Sequence, residues 1–243
     1  MTPIPELEHA IAGLYAAFKS RTLPTVMLGC PCCADETELH RLSFTPIGEL
    51  GCAELEPYSW NAIWTVGTEQ DYRHFTPRLL KLMVREDAFQ AEVVTKKLRL
   101  AGWTSWSEQE QSALRSYFRA LWNSALTSPT AWSGAEDSLC VIGNAVDDLT
   151  PFLERWQSAT EPTAVQQLVE FAAGQIGNAS NGFVGNPFWD ECQPQMLQVT
   201  RWFTDPATLQ HLEQRWFADS EGPLAKSLEE AVYWLSLAHQ GKG

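Results

Sequence analysis

Basic residues are scarce in this chain: 17 Lys and Arg stand against 30 Asp and Glu over 243 residues, a formal net charge of −13. They form no basic patch and no recognition-helix pattern. A surface of that sign repels nucleic-acid phosphates and anionic lipid headgroups and attracts basic partners. A protein partner with a basic surface is therefore expected, and neither nucleic acid nor membrane is. Long apolar runs are also missing, and none approaches the length that a bilayer-spanning helix needs. The segment MTPIPELEHAIAGLYAAFKS carries Glu6, Glu8 and His9 and lacks the basic and apolar regions of a secretory signal. The expected setting is a reducing cytoplasm.

Familiar catalytic signatures are absent too. There is no GxGxxG, Walker loop, HExxH, GxSxG or EF-hand loop. This shifts the expectation from catalysis towards binding. Strand-like alternation is almost missing; TVMLG at 25–29 is the one short stretch that resembles a strand.

Helical periodicity is what the chain has. PELEHAIAGLYAAFKS places Leu7, Ile11, Leu14 and Phe18 on one stripe. In SEQEQSALRSYFRALWNSAL, Ser107 and Glu110 make a capping-box pattern, and Leu114, Phe118, Leu121, Trp122 and Ala125 follow on one face. AFQAEVVTKKLRLAG aligns Val94, Leu98 and Ala101 and ends at Gly102. Pro162, Pro194, Pro206 and Pro223 stand near the starts of later segments, where a missing amide hydrogen costs little, and Asp205 reads as an N-cap. Asp147 and Asp148 read as the cap and first-turn acid of the helix that follows them. The expectation is an all-α fold of ten or eleven helices, a multi-helix bundle or an irregular repeat-like stack. It forms one domain or two packed halves, 1–128 and 137–243.

Three cysteines crowd GCPCCADETELH at 29–40. Cys30 and Cys33 have zinc-knuckle spacing, and Cys30 and Cys32 also make a CxC. A four-ligand zinc site would draw on Cys30, Cys33, Cys52 and His40, with His74 more distant. A redox pair is a second reading, opposed by the acidic Asp35, Glu36 and Glu38. Buried small hydrophobes are a third. No second CxxC completes a zinc framework, and Cys140 and Cys192 stand alone.

DYRHFTPRLLKLM offers another constellation. Asp71 and His74, at i and i+3, share a helix face and could act as an acid–base pair, with Arg73 beside them to hold an anion. The same pattern serves a capped, hydrogen-bonded helix start. In GNASNGFVGNPFWDE at 177–191, Phe183, Phe188 and Trp189 either tuck into the body or meet a partner.

The blocks GCPCC, DYRHFTPR and KLRLAGWTSW resemble a bacterial protein family marked by CPxC, D-x-R-H-F-x-P-R and K-L-R-x-A-G-W-x-S-W, one with no assigned activity. The resemblance covers residues 29–122 and implies that these blocks form one unit. Three functional expectations follow. The first is an acidic interaction protein of the immunity or antitoxin type. The second is a zinc-stabilised helical protein of bacterial stress or regulation. The third is an enzyme using His74 and Asp71 with nearby thiols.

Overall fold

The computed structural model describes residues 5–19, 26–86, 89–128, 131–176, 185–218 and 220–240. Among them are twelve α-helices, close to the ten or eleven that periodicity predicts, and the fold is all-α. The TVMLG stretch supplies only an isolated antiparallel bridge, Gly29 opposite Val66. The chain divides into two compact units, residues 1–120 and 121–243. It passes from one to the other inside a helix.

The first unit contains α1 (Pro5–Phe18), α2 (Glu36–Phe44), α3 (Cys52–Asn61), α4 (Glu69–Met83), α5 (Ala91–Leu100) and the first part of α6 (Glu108–Thr127). Leu7, Ile11, Leu14 and Phe18 are all buried, and α1 packs on α4. Helix α5 packs against α3 and α4. Each large apolar side chain so buried contributes about 1.5–3 kcal/mol. The polar ends of the core aromatics find backbone partners: Tyr72 Oη donates to Val94 O at 2.5 Å and Tyr117 Oη to Leu80 O at 2.9 Å. Burial pushes both phenols well above their ordinary range. Gly102 ends α5 in the left-handed conformation, with φ of 67°, which glycine adopts at no steric cost. Trp106 Nε1 then donates to Ala101 O at 3.1 Å and closes the K-L-R-x-A-G-W-x-S-W block.

The second unit holds the rest of α6 with α7 (Ala135–Ala145), α8 (Thr150–Gln157), α9 (Pro162–Ile176), α10 (Gln193–Phe203), α11 (Pro206–Ala218) and α12 (Ala225–Gln240). Pro162 and Pro206 open α9 and α11 and Pro194 lies in the first turn of α10, as their positions predict. Asp205 Oδ1 accepts from Ala207 N at 2.8 Å, and Asp148 Oδ1 from Thr150 N at 2.9 Å. The centre is aromatic. Trp156 meets Trp122 edge-on at 5.6 Å and stacks on Trp202 at 5.6 Å. Their amide-like ends are satisfied too, Trp122 Nε1 by Phe152 O and Trp156 Nε1 by Ala164 O.

Candidate functional site

The cysteine turn is built by backbone pairing and then by helix capping. Cys30 N donates to Thr65 O at 2.7 Å, and Gly67 N to Leu28 O at 2.8 Å, so residues 28–30 lie along residues 65–67. Gly29 packs closely there: a Cβ would approach Leu39 Cδ2 to 3.2 Å and Val66 Cγ2 to 3.3 Å. Cys30 O then accepts from Cys33 N at 2.8 Å and from Ala34 N at 3.1 Å, which turns the chain sharply. Asp35 and Glu38 form a reciprocal capping box that starts α2. The acidic flank is therefore occupied with capping.

This turn brings three thiols together. Cys30 Sγ lies 2.8 Å from Cys32 Sγ, and Cys32 Sγ lies 3.6 Å from Cys33 Sγ. All three sulfurs sit within 4.8 Å of one another, and they are the group of metal-capable side chains that the described residues bring together. Zinc–sulfur bonds near 2.3 Å on a tetrahedron place sulfurs about 3.8 Å apart. The separations of 2.8 and 3.6 Å are shorter than that value, so the sulfurs would spread apart to surround one ion. Cys30 and Cys33 are half-buried and Cys32 is exposed. Three thiolates leave one tetrahedral position to an outside ligand.

The thiols also influence one another's protons. The hydrogen bond from Cys32 holds the Cys30 thiol below its ordinary value. Donation to Cys30 and Cys33, together with their charge, pushes Cys32 up to about 11. Cys30 therefore gives up its proton before Cys32 does. A bound cation favours every thiolate it touches.

Of the four residues expected to ligate zinc, Cys30 and Cys33 lie in this cluster. Cys52 and His40 do not join it. His40 is exposed on α2 with its ring centroid 4.5 Å from that of Phe44. Cys52 begins α3, where burial and the Glu86 carboxylate push its thiol up. The third member is Cys32, which the CxC spacing already marked. A small cleft of about 100 Å³ opens beside Cys33, walled by Glu38, Arg41, Glu54 and Tyr58. Arg41 and Glu54 span it at 3.1 Å.

The second constellation has structural employment. Asp71 closes the capping box of α4: Thr68 N donates to its Oδ2 at 2.7 Å, and Thr68 Oγ1 to the same oxygen at 2.8 Å. Arg73 forms a fork with Glu110, its Nε 3.0 Å from Oε1 and its Nη2 bonded to Oε2. The guanidinium also lies over the Trp106 ring at 5.0 Å. Glu110 is in turn the capping-box acid of α6, accepting from Ser107 N at 3.1 Å and from Ser107 Oγ at 2.5 Å. His74 is half-buried beside Phe75. The D-x-R-H-F block is thus joined to the tryptophan block by a buried ion pair.

Of the aromatic loop, Phe183 lies outside the described residues. Trp189 is buried in a short 3-10 turn, Pro187–Glu191, and Phe188 is half-buried. Trp189 packs so closely on α7 that a Cβ on Gly143 would lie 3.1 Å from its ring. Among the described residues, the exposed large apolar side chains include Leu28, Phe44, Trp60 and Trp64. Comparison with known protein families, curated proteins and solved structures returns no match to this chain.

Proposed function

We propose that this is a metal-binding helical protein that holds a thiophilic d10 cation, Zn²⁺ or Cu⁺, at Cys30, Cys32 and Cys33. The observation that carries the reading is the mutual approach of three sulfurs on one hydrogen-bonded turn. Soft thiolates select such cations over magnesium or calcium. The exposed side of Cys32 leaves the ion open to a fourth ligand. The ion would pin the Cys30–Cys33 turn that precedes α2.

The test is a Zn²⁺ titration of reduced, untagged protein. One equivalent binds to the wild type, Cys32→Ser weakens binding by at least about tenfold, and Cys52→Ser leaves it unchanged. A wild type with fully reduced thiols that binds no zinc contradicts the proposal.

A second reading, an acidic interaction protein of the immunity type, is favoured by the distribution of charge. Residues 1–120 carry twelve Lys and Arg against fifteen Asp and Glu, whereas residues 121–243 carry five against fifteen. The negative charge is therefore concentrated in the second unit, where it would speed encounter with a basic protein. A basic partner captured at low salt and released as salt rises is the expected result. Retention that ignores salt counts against it.

A further inference from the structure

Lys97 is the most unusual charged residue in the chain. It lies on α5 and its side chain is fully buried. Its Nζ donates to Ala62 O, the C-cap carbonyl of α3, at 2.5 Å. The same nitrogen sits 3.3 Å from the centroid of the Trp64 ring. No carboxylate among the described residues forms an ion pair with it. A buried lysine without a counter-ion is rare, because the ammonium loses its hydration and gains little in return.

An exposed ring lies over this amine. Trp64 is 60% exposed although it closes off a fully buried nitrogen. It projects from the tight segment 62–66, in which Ile63 has φ of 70°. A β-branched residue in that conformation is strained, and such strain gathers at binding and catalytic positions. Ala62 and Val66 pair across the same segment. The lysine is therefore anchored by rigid elements, and its lid is a ring that water already reaches on one side.

We infer that Lys97 is an amine nucleophile stored under Trp64, and that it takes up a small aldehyde as a Schiff base. The activation has two physical sources. Burial, and then the neighbouring Lys96 charge, bring the ammonium down to about 8. Desolvation and an adjacent cation are the two means by which a lysine becomes nucleophilic near neutral pH. When Trp64 swings aside, the neutral Nζ attacks the carbonyl carbon. The C–N bond forms, both amine protons pass to the carbonyl oxygen, and that oxygen leaves as water. No oxidant or reductant takes part, so the step is reversible by hydrolysis. It is independent of the metal reading, since no thiol enters it.

Reductive trapping tests this on the whole protein. Reduced protein is incubated with propionaldehyde and cyanoborohydride, and each lysine is followed by peptide mass mapping. Lys226, which is exposed, serves as the reference. At pH 7 Lys97 is expected to be alkylated at least about tenfold faster than Lys226, because a far larger share of it is neutral. Its rate levels off above pH 8. Trp64→Ala removes the lid and accelerates labelling of Lys97 further without changing Lys226. Labelling of Lys97 no faster than Lys226, or a Lys97 that stays unlabelled even in Trp64→Ala, overturns the inference. Cys30→Ser should leave all these rates as they are, which separates the outcome from that of the metal titration.

Discussion

Glu110 shows how much one side chain can carry. It caps α6, holds both nitrogens of the Arg73 fork and is almost fully buried. Removing one partner of such a pair strands the other charge in a poor solvent. Glu110→Gln should therefore cost about 3 kcal/mol, seen as a lower urea midpoint, while Glu108→Gln on the exposed side of the same helix should shift it by less than about 0.5 kcal/mol. Equal effects would mean that the ion pair does not join these blocks. Gly67 is a second such residue. Its φ is 68° and a Cβ would come within 2.9 Å of Met27 Cε. Gly67→Ala should destabilise by about 1–2 kcal/mol by the same assay.

Lys97 sets a pH dependence at this scale. Its proton leaves near pH 8 in the folded chain and at 10.5 in the ordinary state. Between those values the unfolded chain binds more protons, so stability rises with pH. The slope of unfolding free energy from pH 8 to 9.5 should be more positive in the wild type than in Lys97→Met. Parallel slopes would show that burial does not shift this amine.

At the scale of elements, the helices were legible where caps and stripes agree. Helix α6 has Ser107 and Glu110 at its start and a continuous apolar face from Leu114 to Ala125, and all five predicted face residues are buried. Local patterns define local structure because their partners lie three or four residues away. The site was legible only in part for the same reason. The spacing of Cys30, Cys32 and Cys33 is local and the turn is visible in it. The roles of Cys52 and His40 depend on how α2 and α3 are placed, which no spacing encodes. The Arg73–Glu110 fork spans 37 positions and the Lys97–Ala62 bond 35, so neither could be read from the chain. Capping of α4 gives an element-scale prediction. Thr68→Ala removes the hydroxyl that accepts from Asp71 N and should cost about 1 kcal/mol by thermal or chemical unfolding. Thr68→Ser should restore most of it.

Across the whole molecule, charge and chemistry occupy different parts of the sequence. The thiol cluster, the buried lysine and the three family-like blocks belong to residues 1–120, together with nearly balanced charge. Residues 121–243 carry most of the net negative charge around an aromatic core. No helix among the described residues is long and apolar enough to cross a membrane. The thiol cluster is the feature whose occupant can be identified directly. X-ray absorption at the zinc edge of the zinc-loaded protein is the decisive measurement. The account predicts three sulfur neighbours at about 2.3 Å and one lighter atom. A shell of nitrogen and oxygen alone, or loss of the sulfur signal in Cys52→Ser but not in Cys32→Ser, would contradict it.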